Sequence, residues 1–217
     1  VIMMEFWLTA AAIAVIAYFC GCFNGAVIVS KYILRDDVRS HGSGNAGLTN
    51  FYRTFGGPLT AVVIMTDVLK AVVAVSVGIW LAGGLSPAFW NGDLIIYGKF
   101  WAGLFCLLGH MFPCMFDFKG GKGVLSGGTI AIMIDWRVAL VVWGGFILLV
   151  LLTRYVSLGS VWAGGSFPLA VWFVYQDIWL AVLGACMGWL LVYMHRANIK
   201  RLLSGTESKF SFRKKKS

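Results

Sequence analysis

The sequence predicts an all-α integral membrane protein, a bundle of about seven transmembrane helices that includes one short half-helix, with the N-terminus outside and the C-terminus in the cytoplasm. Three observations predict it. Hydrophobic residues make up 59% of the 217 and charged residues only 12%, with a mean hydropathy of +0.83. That composition leaves too little polar surface to cover a water-soluble domain. Several apolar runs reach about 18 residues or more, the length that spans bilayer hydrocarbon. Most of the 18 Lys and Arg residues fall in short loops on one side and in a terminal tail, as the positive-inside rule requires of cytoplasmic segments.

The first span covers residues 6–33. It follows Glu5 without a basic n-region and runs on past a typical signal h-region, so it reads as a span and not as a cleaved leader. A polar loop, 34–56, precedes span two at 57–81 and a turn-rich stretch at 82–92. Span three is 93–111, and a second polar loop follows at 112–123. Span four, 124–134, is too short to cross about 30 Å at ~1.5 Å per residue. It reads as a half-helix packed inside the protein, in preference to a re-entrant unit with span five or a locally thinned bilayer. Spans five, six and seven are 137–153, 155–175 and 178–194. The rest, 195–217, is a basic tail, flexible from about residue 207 and anchored to acidic lipid by Arg213, Lys214, Lys215 and Lys216. All of 1–217 reads as one transmembrane domain.

Lys31, Arg35, Arg39, Arg53, Lys119, Lys122, Arg154 and the tail lie on the cytoplasmic side; Glu5, Asp93, Asp135, Asp177 and Arg137 lie opposite. The net charge of +9 therefore answers to topology and anionic headgroups, and not to nucleic acid. The five cysteines lack metal-ligand spacing and read as small hydrophobes. The histidines His41, His110 and His195 show no metal-binding spacing either, so neither metal nor cofactor is expected.

Three cytoplasmic segments combine glycine, short polar side chains and fixed positive charge. In the first, His41-Gly42-Ser43-Gly44-Asn45-Ala46-Gly47-Leu48-Thr49-Asn50 with Arg53, the glycines admit close backbone approach and Arg53 offers a planar fork for phosphate. The same Ser and Asn residues would serve equally well as turn and helix caps. In the second, Phe118-Lys119-Gly120-Gly121-Lys122-Gly123, free N–H groups, a helix dipole and an ammonium converge before an apolar helix. This favours an anion site over a simple interfacial turn. It is not a Walker A loop, because Gly123 stands where Ser or Thr is required. In the third, His195 and Asn198 share a helical face at i, i+3, and Arg154 and Ser157 belong to the same cytoplasmic side. Within span two, Asp67 and Lys70 are spaced for a structural ion pair. No triad spacing supplies a protein nucleophile. Such a surface suits an acyl phosphate, whose leaving group needs only positioning and charge stabilisation.

At these residues the chain resembles the bacterial acyl-phosphate:glycerol-3-phosphate acyltransferases of PlsY type. The similarity is carried by Ser43-Gly-Asn-Ala-Gly-Leu-Thr-Asn50 with Arg53; by Gly109-His-Met-Phe-Pro113 running to Phe118-Lys-Gly-Gly-Lys-Gly-Val124; by Arg154-Tyr-Val-Ser157; by Asp67-Val-Leu-Lys70; and by His195-Arg-Ala-Asn198 running to Glu207. The resemblance implies acyl transfer from acyl phosphate to the 1-position of glycerol 3-phosphate, giving lysophosphatidic acid and phosphate at the cytoplasmic face of the bacterial inner membrane. It implies seven spans, no acyl-CoA or carrier-protein donor, and functional coupling to an enzyme that makes acyl phosphate. It also implies that Ser43, Arg53, Lys122, His195 and Asn198 hold glycerol 3-phosphate, and that Asn45, Thr49, Asn50, the backbone of Gly120, Gly121 and Gly123, and Ser157 hold the acyl phosphate. Lys119 and Arg154 join the binding surface. The sequence sets no oligomeric state. Two other classes compete: a transporter of a phosphate ester or other anion, motivated by the half-helix and the intramembrane pair, and a non-enzymatic lipid-binding protein.

Overall fold

The structure is a computed structural model of the chain and describes residues 2–85 and 94–210. Asp93, most of the turn at 82–92, and the tail lysines and arginine at 213–216 lie outside the described residues. The chain forms two compact units, Val1–Ile134 and Asp135–Ser217. Every regular element among the described residues is helical.

In the first unit, α1 (Ile2–Cys22) ends at Phe23 and Asn24. The Asn24 side chain then caps α2 (Gly25–Ile28) by accepting from the N–H of Val27. A widened π-type turn, Val29–Ile33, completes the segment read from sequence as one unbroken span. The expected loop 34–56 contains a short helix, α3 (Leu48–Thr54). Two long helices follow, α4 (Leu59–Gly83) and α5 (Leu94–Met111). Next comes α6 (Val124–Ile134), 11 residues long and therefore only about 16 Å. It packs on α4 and α5, and Ser126, Gly128, Thr129, Ile130 and Ala131 are buried.

Where polar contacts are few, helices in hydrocarbon associate by close approach at small residues. Gly21 of α1 meets Gly109 of α5 in this way: a Cβ on Gly21 would stand 3.0 Å from the Gly109 Cα. The α1–α5 and α4–α5 contacts dominate the unit.

The second unit holds α7 (Trp136–Thr153), α8 (Val156–Tyr175), α9 (Ile178–Met194) and α10 (Arg196–Leu203). Asp135 and Asp177 cap α7 and α9 by accepting from the N–H groups of Arg137 and of Trp179 and Leu180. Gly164 and Gly188 bring α8 and α9 together; a Cβ on Gly164 would stand 2.9 Å from the Gly188 carbonyl oxygen. The chain turns by 59° between α9 and α10.

Among the described residues, five helical segments are long and apolar enough to cross a bilayer, or six if the bent α9–α10 pair is one span. Their outer faces carry Trp7, Leu8, Trp80, Leu140, Leu151, Phe173 and Trp189, all well exposed. On this scale an exposed apolar surface is compatible with lipid and not with water.

Candidate active site

The first polar loop is built from its own side chains. Ser30 accepts the N–H of Val38, and Asp37 caps the following turn by accepting the N–H of Arg39. Asn50, buried at the start of α3, organises the glycine segment. Its amide donates to the carbonyls of Val38 (3.1 Å) and His41 (3.0 Å), and its Oδ1 accepts the Ser43 N–H (3.1 Å). Both amide protons are thus committed. Asn50, expected from sequence among the substrate contacts, here shapes the loop through these bonds. Asn24 donates to the Ala46 carbonyl at 3.0 Å and pins the far end. Val38, Ala46, Phe51 and Phe116 close an apolar core beneath. Ser43 and Arg53 are left exposed on this scaffold, with Asn45 and Thr49 half-buried.

The second loop is tied to the first by Arg39, which the sequence reading counted only as a topology charge. Its guanidinium pairs with Asp37 at 2.8 Å, donates to the Phe116 carbonyl at 2.7 Å and approaches Asp117 at 3.9 Å. The Arg39 hydrogen bond holds the Asp37 carboxyl below its usual range, and Asp37 in turn raises the guanidinium. After Pro113 the chain makes one tight turn, then passes Asp117 and Phe118 in left-handed conformation (φ 57° and 55°). A bulky non-glycine residue rarely adopts that backbone. Gly120 then donates to the Met111 carbonyl and Gly121 to the His110 carbonyl, each at 3.1 Å. This corrects the expectation of free N–H groups along the whole run, because those of Gly120 and Gly121 are taken. Lys119 is exposed and Lys122 half-buried.

Glycine is required here by space. A Cβ on Gly121 would overlap His110 Nε2 and stand 2.7 Å from the Ala46 carbonyl oxygen; one on Gly120 would overlap the His110 carbonyl and stand 2.7 Å from Pro113 Cδ. The two polar loops are therefore in van der Waals contact at Gly121 and Ala46.

Beneath this contact lies a buried polar cluster. Lys70 Nζ sits 2.7 Å from Asp67 Oδ1, 2.6 Å from His110 Nδ1 and 3.2 Å from the Phe23 carbonyl oxygen. Ser126 of α6 donates to the Asp67 carbonyl at 3.1 Å. The i, i+3 spacing signalled the Asp67–Lys70 pair; nothing in the sequence signalled His110 as its third member.

In the second unit, Arg154 ends α7 in left-handed conformation (φ 63°) and its side chain is exposed. His195 and Asn198 are both buried at the α9–α10 turn. The His195 Nδ1–H donates to the Leu191 carbonyl at 2.8 Å. Asn198 donates from Nδ2 to Glu207 Oε1 at 2.8 Å, and Arg201 Nε donates to Glu207 Oε2 at 2.6 Å. The buried Ser157 hydroxyl lies close to the same carboxylate without full hydrogen-bond geometry. Burial pushes the Glu207 carboxyl upward, but Asn198, Ser157 and Arg201 outweigh it and the net shift is downward. Glu207, assigned no role from sequence, is the residue on which Asn198 and Arg201 are organised. The strand of chain after it returns to α7, with the Phe210 N–H on the Arg154 carbonyl at 2.8 Å.

The glycerol-3-phosphate acyltransferase family pattern matches residues 11–205. The chain belongs to the glycerol-3-phosphate acyltransferase family. Among its relatives are the glycerol-3-phosphate acyltransferases of Thermoanaerobacter pseudethanolicus, 37% identical and covering 90% of this chain and 93% of that one, and of Fusobacterium nucleatum, 36% identical over 91% and 96%. The fold is similar to a crystal structure of PlsY, an integral membrane glycerol 3-phosphate acyltransferase, in its glycerol 3-phosphate form, with a TM-score of 0.79 and 30% identity over 93% of this chain and 96% of that one. A lysophosphatidic acid form of the same protein gives a TM-score of 0.76. The three polar segments described above all fall inside the span that the family pattern matches.

Proposed function

We propose that this member of the acyltransferase family transfers a fatty acyl group from acyl phosphate to the 1-hydroxyl of glycerol 3-phosphate, releasing lysophosphatidic acid and inorganic phosphate. The observation that carries the reading is the pair of polar loops joined by Arg39 and Gly121, which sets Ser43 and Arg53 on one scaffold with the lysine-flanked glycine loop, within a chain of this family. Family membership favours this enzyme over the transporter.

Ser43, Arg53, Lys122, His195 and Asn198 are assigned to glycerol 3-phosphate. Asn45, Thr49, Ser157 and the loop backbone at Lys122 and Gly123 are assigned to the acyl phosphate, with Lys119 and Arg154 adding positive charge. His195 suits its part: its Nδ1–H is committed to the Leu191 carbonyl, which fixes the orientation of the ring. The donor already carries a good leaving group. The enzyme's work is then to hold the acceptor hydroxyl in line and to stabilise charge as the acyl–phosphate bond breaks.

The protein sits in the bacterial inner membrane with seven spans, α6 and α9 added to the five long ones. Its N-terminus is outside and its polar loops are in the cytoplasm, where an acyl-phosphate-producing enzyme supplies it. Purified protein incubated with palmitoyl phosphate tests the reading: phosphate release should appear only when glycerol 3-phosphate is added. Release without the acceptor, or none with it, contradicts the assignment.

A further inference from the structure

His110 belongs to none of the assigned substrate contacts, yet it touches the glycine loop in two ways. Its carbonyl accepts the Gly121 N–H, and its ring lies directly under the Gly121 Cα, where any side chain would overlap Nε2. The ring itself is fixed from the opposite edge. Lys70, held beside Asp67, can only donate as an ammonium, so Nδ1 accepts and the ring proton is placed on Nε2, the edge that meets the loop. His110 is only 2% exposed, so this edge of the ring is sheltered from water. A buried ion pair inside a membrane span is expensive to maintain. Packing alone does not explain why a chain would keep one to hold a single imidazole.

We propose that His110 is a positioning residue for the acyl donor: Lys70 and Asp67 lock its tautomer and orientation, and the locked ring sets the height of Gly121 and hence of the donor-binding end of the loop at Lys122 and Gly123. The inference rests on the assignment of that loop to the acyl phosphate. Its signature is a donor-weighted loss: a disturbed ring weakens donor binding far more than acceptor binding, because Ser43 and Arg53 are held by Asn50 and α3, and of the acceptor contacts only Lys122 sits on the displaced loop.

The probe is hexadecylphosphonate, a hydrolysis-resistant stand-in for the acyl phosphate, titrated calorimetrically into the full chain in detergent. Histidine is labelled with nitrogen-15, and the three rings are told apart by His41→Gln and His195→Gln. Wild type should show the His110 proton on Nε2, with that resonance moving when the phosphonate binds and still when glycerol 3-phosphate binds. His110→Asn keeps an acceptor for Lys70 but removes the ring under Gly121. It should melt within a few degrees of wild type and bind the phosphonate about ten- to a hundredfold more weakly, with KM for glycerol 3-phosphate raised by no more than about threefold. A His110 resonance that stays put while the phosphonate binds overturns the proposal, as does an equal loss toward both substrates. Should His110→Asn fail to fold, the wild-type spectra alone decide. Phosphonate binding that survives Gly123→Ala undiminished, a change that strains the loop backbone at its φ of 78°, overturns the loop's assignment instead.

Discussion

Arg39 Nη1 donates to the carbonyl oxygen of Phe116 at 2.7 Å, joining two polar loops 77 residues apart in sequence. The guanidinium is the right group for the task, because its planar fork engages Asp37 with two nitrogens while a third reaches the carbonyl. Arg39→Lys keeps the charge and loses the fork. It should lower turnover at least tenfold and destabilise by about 2 kcal/mol, the scale of a charged hydrogen bond; phosphate release and thermal unfolding check both. A variant with wild-type turnover would show that the two loops need no such tie.

Gly121 is constrained by the backbone and ring around it and not by conformation alone. Gly121→Ala must displace either His110 or the Ala46 carbonyl. Overpacking of this kind costs about 1–3 kcal/mol, a loss that leaves a protein able to fold but with the loop moved. Activity should fall at least a hundredfold while the unfolding temperature drops only moderately. Unaltered activity would mean that the loop tolerates displacement.

The buried cluster makes a non-additive prediction. Lys70→Met strands the Asp67 carboxylate at 3% exposure, and breaking a buried pair from one side costs about 3–5 kcal/mol. The double variant Asp67→Leu/Lys70→Met removes both charges and should be markedly more stable than Lys70→Met alone. Equal stability of the single and double variants would argue against the pairing.

Asp37 and Glu207 set an acid limit. Both carboxyls are held below their ordinary values in the folded chain. The stability they confer is therefore complete above the unfolded pKa values, about 3.9 and 4.3, and is lost as pH falls through the folded ones. Unfolding temperatures should decline from about pH 5 downward. Glu207→Gln, which still offers Asn198 an acceptor, should be less stable than wild type at neutral pH and less sensitive to acid. A slope identical to wild type would remove Glu207 from the account.

Much of this was legible in the residues. The half-helix could be read because glycine loop, apolar run and Asp135 fall too close together for a full span, and α6 has the expected bounds, Val124–Ile134. The Asp67–Lys70 pair could be read because helical spacing is local. His110 could not, because its approach to Lys70 joins residues 40 apart and depends on how α4 and α5 pack. The bonds that Asn50 and Gly120 make to backbone carbonyls were illegible for a related reason. Composition names a donor, but only the fold decides whether it faces a ligand or a backbone carbonyl. Arg39 and Glu207 were hidden among charges that topology already explained.

One acyl group should pass to glycerol 3-phosphate for every phosphate released. Mass spectrometry of purified protein with palmitoyl phosphate and glycerol 3-phosphate measures this directly, with phosphate quantified in the same tube. The expected result is one 1-palmitoyl-glycerol 3-phosphate per phosphate, and neither product from Lys122→Ala protein that remains folded. Phosphate without the acylated product, or full activity in the Lys122 variant, would contradict it.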